Sequence, residues 1–163
     1  MADLKQNSSP GRSEFSFETG SLLHTVGDGV PSIVSVQTPD TAIVSGSYAL
    51  FTATGTVLCR VFAICDETLT ESNGDETIEV GIVGNTALLL SQYATPLDFV
   101  VGDAWGSTTA LPGSTVNDLV LIDDIDIDFT VAGSTGLGDG RFTFYCQWIP
   151  VSSGSSVVAS SWA

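Results

Sequence analysis

The sequence is poor in positive charge. It contains 4 Lys and Arg against 19 Asp and Glu, which gives a formal net charge of −15 at pH 7. Proteins that bind nucleic acid or an anionic membrane need clustered Lys and Arg, and after residue 12 only Arg60 and Arg141 remain. No apolar run approaches the roughly 18 residues of a membrane span. We therefore expect neither nucleic acid nor a membrane among the partners.

Histidine and cysteine are also scarce. His24 is the only histidine, and no G-x-S-x-G motif accompanies it, so the sequence does not indicate a catalytic triad. Cys59, Cys65 and Cys146 form no C-x-x-C pair, and we interpret them as buried thiols in a protein kept in a reducing cytoplasm. The N-terminal residues lack the apolar stretch of a secretory signal. We expect no enzymatic activity, no cofactor and no metal.

Long helical patterns are missing as well. β-Branched residues, which favour strands, are abundant, and Ser, Thr and Gly make up one residue in three. The sequence predicts an all-β protein, an antiparallel β-sandwich of jelly-roll type with one short helix and extended terminal arms. The helix is placed at 85–93. Strands are predicted at 32–37, 42–54, 56–65, 77–83, 98–101, 118–122, 124–131 and 141–149.

The chain divides into a body and two arms. Residues 1–20 are predicted as an N-terminal arm, 21–150 as the sandwich domain and 151–163 as a C-terminal tail, because both ends are polar and lack a sustained apolar period. Large apolar side chains in segments that cannot bury themselves favour docking on a partner. The residues that we expect to bind a partner in this way are Phe15, Phe17, Leu22, Leu23 and Trp162.

Alternating residues in two segments separate a core face from an exposed face. In DDIDIDFTV and RFTFYCQWI every second residue is apolar, and successive side chains of a strand point to opposite sides. The predicted core residues are Ile125, Ile127, Phe129, Val131, Phe142, Phe144, Cys146 and Trp148. The opposite side of the first segment carries Asp124, Asp126 and Asp128, about 7 Å apart. A straight strand cannot bring such carboxylates together on Ca²⁺, so we predict a solvated acidic face.

Three further segments admit a functional interpretation beside a structural one. The loop DETLTESNGDE is rich in oxygen ligands but lacks the spacing of an EF-hand, and a structural cation there stays an open alternative. GSTGLGDG has no lysine and leads into a strand, which favours a hairpin loop over a phosphate loop. Trp105 is either part of a sugar platform or packed under a loop or at a subunit interface. The oxygen ligands of the first loop are Asp66, Glu67, Glu71, Asn73, Asp75 and Glu76.

The C-terminal half of the chain carries a family resemblance. GDGRFTFYCQWIPVSSG is similar to the endings of small structural proteins from the head-gene region of tailed bacteriophages, in which a D-G turn leads into an aromatic strand ending in W-x-P-[LV]-S. IEVGIVGNTALLLSQYA also resembles a segment of such proteins in which a strand ends at V-x-G-N-T-A and a short helical turn follows.

The resemblance implies a capsid decoration, or cement, protein. Such a protein lies on the capsid exterior of the virion, is made in the cytoplasm of the host bacterium, and has the major capsid protein as its partner. A homo-trimer is the implied oligomeric state. The alternative is a tail or fibre-associated β-sandwich that binds a host glycan or receptor.

Overall fold

The computed structural model describes residues 32–70, 74–106 and 119–162. In these ranges the chain forms ten strands, and the single helical element is a 3₁₀ turn at Pro96–Asp98. The strands are β1 (Ser32–Gln37), β2 (Gly46–Thr54), β3 (Thr56–Glu67), β4 (Thr77–Ile82), β5 (Asn85–Tyr93), β6 (Ala104–Trp105), β7 (Val120–Asp123), β8 (Asp126–Ala132), β9 (Arg141–Pro150) and β10 (Ser156–Ala159).

The strands form two antiparallel sheets that pack face to face. The first sheet has the order β1-β9-β3, and both β6 and β7 pair with the remaining edge of β3. The second sheet has the order β10-β2-β8-β4-β5. Phe129 of β8 and Phe144 of β9 meet between the sheets, with ring centroids 5.1 Å apart. The predicted antiparallel all-β class is confirmed, while the jelly-roll subclass stays a prediction.

The core lies between the sheets, where the alternation predicts it. Of the eight predicted core residues, Ile125 and Trp148 are partly buried and pack against the core, and the other six are at most 1% exposed. Trp105 joins them, since its ring lies 6.0–6.5 Å from those of Phe129, Phe142 and Phe144. The alternation in β8 and β9 therefore identifies the buried faces of both sheets correctly.

The predicted helix at 85–93 is wrong, because this segment is strand β5. It forms a hairpin with β4, and Gly84 in the two-residue turn has a positive φ of 87°. The pairing shifts register twice, so Leu89 and Leu90 are consecutive and both buried. Gly81 allows the backbone of β5 to lie close to β4, since a Cβ at this position would collide with the backbone oxygen of Asn85. Consecutive buried residues at a bulge resemble the pattern of a helix.

The predicted strand at 98–101 is also wrong. Pro96 opens the 3₁₀ turn, and Gly102, with a φ of 95°, turns the chain back toward β3. There Gly102 N donates to the carbonyl of Cys65, and Cys65 N donates to the carbonyl of Asp103, both at 2.8 Å. Phe99 is 6% exposed and closes one end of the core. The apolar residues FVV thus belong to a loop that covers the core.

The segment predicted as a C-terminal tail contributes a strand to the second sheet. β10 pairs with β2, and Val157, opposite Ala53, is buried. Ser160 N then donates to the carbonyl of Leu50 at 2.8 Å. The sequence of β10 gives only a weak indication of a strand, because a single valine of this short edge strand faces the core.

Candidate functional site

The outer face of the first sheet carries an apolar patch among polar side chains. Fewer than half of the side chains of β3 and β9 that point away from the core are apolar or aromatic, namely Leu58, Phe62, Ile64, Tyr145 and Ile149. Phe62 and Tyr145 are cross-strand partners, and their rings stack with centroids 5.0 Å apart. Ile33 on β1 and Leu121 on β7 widen this surface and are 62% and 61% exposed. We name it the apolar face, and its apolar members are Ile33, Leu58, Phe62, Ile64, Leu121, Tyr145 and Ile149.

Arg60 lies near the middle of the apolar face. It is exposed and stands between Leu58 and Phe62 on the outward side of β3. Its Nε donates a hydrogen bond to Oε1 of Gln147, its cross-strand partner, at 2.8 Å. Within the described part of the chain, Arg60 has no carboxylate partner. Among the described residues its two remaining nitrogen atoms have no partner, which leaves them open to an external anion.

Acidic groups border the apolar face at both ends. At one end, Oδ2 of Asp66 accepts hydrogen bonds from Oγ1 of Thr143 at 2.5 Å and from Nε2 of Gln37 at 3.1 Å. At the other end, Oδ1 of Asp123 accepts a hydrogen bond from Oγ1 of Thr56 at 2.8 Å. These carboxylates keep their negative charge, but within the described residues they form no ion pair with Arg60 at the centre of the face.

The other arginine of the described residues, Arg141, has acidic neighbours. Its Nη1 lies 3.6 Å from Oδ2 of Asp40, and Glu67 is its cross-strand partner on β3. A hydrogen bond with Asp40, together with charge repulsion between the two carboxylates, raises the pKa of Glu67. The positive charge at this end of the sheet is thus balanced within the chain, in contrast to that of Arg60.

The outer face of the second sheet is acidic. Asp126 and Asp128 project outward from β8, and Glu79 projects from the neighbouring β4 opposite Thr130. Oδ1 of Asp126 accepts a hydrogen bond from Oγ1 of Thr52 at 2.7 Å. Burial raises the pKa of Asp128, and the charge of Asp126 raises it further. We name Glu79, Asp126 and Asp128 the acidic face. The alternation in β8 predicts its two aspartates, and the pairing of β4 with β8 adds Glu79.

Asp124 does not belong to the acidic face, although the alternation predicts it there. β8 begins two residues later, and Asp124 has a positive φ of 45° in the turn before it. Its Oδ1 accepts a hydrogen bond from the backbone N of Gly55 at 2.6 Å. Asp124 therefore ties this turn to the β2–β3 turn.

Trp162, predicted to bind a partner, packs on the protein's own core. Its ring stacks on Tyr48 with centroids 5.0 Å apart and meets Phe129 edge-on at 6.3 Å. The two stacked rings form one wall of a cleft of about 340 Å³, whose remaining lining comes from Pro39 and residues 41–44. Nε1 of Trp162 is buried and has no hydrogen-bond partner within the described ranges. Its role toward a partner stays a prediction.

The oxygen-rich loop is organised around a buried carboxylate. The side chain of Glu76 is fully buried, and its oxygens accept hydrogen bonds from Oγ1 of Thr135 at 2.7 Å and from the backbone N of Gly74 and Asp75 at 3.1 and 3.2 Å. These hydrogen bonds, that of Thr135 most strongly, lower the pKa of Glu76. Glu76 therefore joins its own loop to the β8–β9 loop.

The three cysteines are buried thiols, as the sequence predicts. Each is at most 1% exposed, and none forms a disulfide. A hydrogen bond with Cys59 and burial both raise the pKa of the Cys146 thiol, and burial is the main cause that raises the pKa of Cys65. Thiols with raised pKa values are poor nucleophiles and poor metal ligands at neutral pH.

Several predicted residues lie outside the described ranges. They are Phe15, Phe17, Leu22, Leu23, His24, Glu71 and Asn73. Trp105 is described, and at 3% exposure it packs in the core, so it is not a sugar platform. Within the described residues, no group of three or more His, Cys, Asp or Glu side chains is arranged to hold a metal ion.

The apolar face was not predicted, although the sequence contains a signal for it. In TVLCRVFAIC, apolar residues occupy both alternating positions of β3, with Val57, Cys59 and Val61 on one side and Leu58 and Phe62 on the other. A strand that is apolar on both sides indicates that both of its faces are covered.

Comparisons with protein-family models and with curated protein sequences find no match to this chain. Among the described residues, no helix is long and apolar enough to cross a bilayer.

Proposed function

We propose that this chain is a virion structural protein of the decoration, or cement, type. It binds the outer surface of a tailed-phage capsid and stabilises the junctions between capsid subunits, with the major capsid protein as its partner. The observation that carries this proposal is the unequal polarity of the two outer faces. One face presents apolar and aromatic side chains around Arg60, and the other presents Glu79, Asp126 and Asp128.

The two faces fit the two surroundings of a protein on a particle. Exposed apolar patches mark interaction sites, and aromatic residues and arginine are enriched at interfaces. The acidic face suits the solvent side, since a high negative charge keeps neighbouring particles apart by repulsion. A sandwich bound by its apolar face would present its acidic face outward, because the sheets lie on opposite sides of one core.

The finer features of the proposal come from the family resemblance. They are a homo-trimeric assembly and a location on the capsid exterior after synthesis in the host cytoplasm, whereas the jelly-roll subclass comes from the strand pattern of the sequence. The W-x-P-V-S ending that carries the resemblance lies at the end of β9, where Trp148 packs partly against the core and Pro150 closes the strand. The conspicuous residues of this ending thus serve the fold of the sandwich.

A glycan-binding module is less well supported. Such a module needs an exposed aromatic ring beside polar groups, and Trp105, the best placed candidate in the sequence, is 3% exposed. Its ring is committed to contacts with Phe99, Phe142 and Phe144.

The direct test uses heads purified from a phage in which the gene for this chain is disrupted. Purified chain is added to these heads, unbound protein is removed by sedimentation, and the bound copies are counted against the major capsid protein on a gel. We expect saturable binding with a copy number close to that of the capsid protein, and a higher temperature of head disruption. Absence of binding to such heads would refute the proposed function.

The N-terminal arm offers a second test of attachment. We expect the variant lacking residues 2–19 to keep its β-type circular dichroism and cooperative melting, because the ten strands lie outside the deleted segment. If Phe15 and Phe17 dock on the capsid, this variant binds heads weakly or not at all. Unchanged binding would assign attachment to the sandwich itself or to the region around Trp162.

A further inference from the structure

We infer that the apolar face is the capsid-binding surface and that it fits a partner surface which is itself apolar and presents a carboxylate to Arg60. This inference rests on the proposed function, since the partner is the capsid shell. Three features of the described residues support it. They are the lack of a carboxylate partner for Arg60, the apolar surface around Arg60, and the poor fit of a second copy of this chain.

The first feature is the unbalanced charge of Arg60. Gln147 holds its Nε at 2.8 Å, which orients the guanidinium group while leaving its two terminal nitrogens free. Those nitrogens can form the paired hydrogen bonds that arginine makes with a carboxylate. Arg141, by contrast, already has Asp40 at 3.6 Å. The centre of the apolar face thus carries a positioned donor that no carboxylate of the described residues balances.

The second feature is the apolar surface around Arg60. Leu58 and Phe62 flank it on β3, Tyr145 stacks on Phe62, and Ile33 lies opposite Gln147 on β1. Aromatic and apolar groups around a central arginine exclude water when a partner covers them, which strengthens an ion pair formed at the centre. The partner surface must therefore be apolar around its carboxylate.

The third feature disfavours a second copy of this chain as the occupant. A two-fold contact about the middle of the face brings the two Arg60 side chains close together, and like charges in such an interface oppose binding. In that contact the carboxylates at the ends of the face stay far from the Arg60 of the other copy, since Asp66 is six residues, about 20 Å, from Arg60 along β3. Charge complementarity thus points to a different protein, which supplies the carboxylate.

The test measures the affinity of variants for heads that lack this chain. Arg60→Gln removes the charge and is expected to weaken binding about tenfold or more, as hot-spot residues do. Val158→Glu is the matched control, because it changes the net charge by the same amount at a side chain that is 53% exposed on β10 of the second sheet. Equal affinity of Arg60→Gln and wild type would overturn the inference.

The apolar part of the face has its own pair of variants. Leu121→Ser changes a side chain that is 61% exposed, so the fold is expected to be retained, and binding to heads should weaken about tenfold. Val83→Ser is the control, since Val83 is 75% exposed at the β4–β5 turn. Circular dichroism checks the fold of each variant. A loss of affinity that is equal in Leu121→Ser and Val83→Ser would contradict the assigned surface.

A chemical experiment tests for the carboxylate on the partner. Heads are treated with a carbodiimide and a small neutral amine, which converts exposed carboxylates to amides. We expect this treatment to lower the affinity of the wild-type chain to that of Arg60→Gln and to leave Arg60→Gln unaffected. An equal loss for both proteins would show that the carboxylates act independently of Arg60, against the inference.

The outcomes separate this inference from the proposed function. If the wild-type chain binds heads and the face variants bind equally well, the function stands and the assigned surface is wrong. If the wild-type chain does not bind heads, the proposed function fails. Analytical ultracentrifugation of the free chain tests whether a second copy of this chain occupies the face. If Arg60→Gln strengthens self-association, the face belongs to a second copy and the inference is overturned.

Discussion

Replacing Phe144 with alanine tests the core that joins the two sheets. Phe144 is fully buried, and its ring lies 5.1 Å from that of Phe129 across the sandwich. On its own side, the rings of Phe142 and Trp105 lie 5.7 and 6.2 Å away. Because these neighbours are held by both sheets, they cannot collapse fully into the space left by the ring. We expect the free energy of unfolding to fall by about 3–5 kcal/mol, the usual cost of such a truncation.

A loss of this size is easily measured. Domains of this kind have total stabilities of about 5–15 kcal/mol, and the loss corresponds to a melting temperature lower by roughly 6–20 °C. Urea unfolding followed by near-ultraviolet circular dichroism gives the free energy directly. Leu121→Ala serves as the control, because Leu121 is 61% exposed and should change stability by less than about 0.5 kcal/mol. A Phe144→Ala loss no larger than that of the control would refute the assignment of the buried face of β9.

Three further substitutions and one chemical modification test the other buried contacts. Thermal melts at several pH values check the substitutions, and a thiol reagent checks the cysteines. Asp128→Asn should raise the melting temperature at pH 7, because burial raises the pKa of this carboxyl and its charged form opposes folding; the gain should vanish as the pH falls through the raised pKa. Glu76→Gln should lower the melting temperature at pH 7, because the hydrogen bond from Thr135 lowers the pKa of Glu76 and its charged form favours folding; in the wild type this contribution is lost as the pH falls through the lowered pKa. Trp162→Ala should cost about 1–3 kcal/mol, because it removes the stacking on Tyr48. The three cysteines should resist a thiol reagent in the native protein and all react in urea, which a colorimetric thiol assay measures.

The strands with strict alternation are predictable from the sequence. β8 and β9 each bury every second residue, so the alternation alone is enough to place Phe129 and Phe144 in the core. The prediction of β1 at 32–37 also matches the observed strand. Alternation of this kind reflects one covered face and one exposed face, a property that neighbouring residues in the sequence reveal by themselves.

The remaining elements depend on contacts that the sequence does not display. Leu89 and Leu90 are both buried because β5 bulges against β4, and that bulge is a property of the pairing. Phe99 has the sequence surroundings of a strand residue, but its loop is held by hydrogen bonds to Cys65, which lies more than thirty residues earlier. Trp162 is predicted to bind a partner because its own segment is poor in apolar residues, and Tyr48, on which its ring stacks, lies far away in the sequence.

The candidate site is predictable only in part. Asp126 and Asp128 of the acidic face follow from the alternation in β8, whereas Glu79 and the apolar face depend on which strands lie side by side. Ile33 and Leu121 lie far apart in the sequence, and only the pairing of β1 with β9 and of β7 with β3 brings them onto one surface. The significance of Arg60 is likewise visible only when its neighbours across the sheet are known.

The positions of β8 and β9 determine when this protein can fold during its synthesis. β9 lies between β1 and β3 in the first sheet, and β8 lies between β2 and β4 in the second, so each sheet receives an interior strand late in the chain. Until the ribosome has delivered residue 150, β1 has no partner in its sheet, and β2 and β4 are not joined before β8 emerges. Such long-range pairing slows folding and leaves unpaired strand edges exposed for longer. Incomplete chains therefore carry the apolar residues of both sheets without the strands that cover them, and they are the species most prone to aggregate or be degraded in a rapidly translating cell.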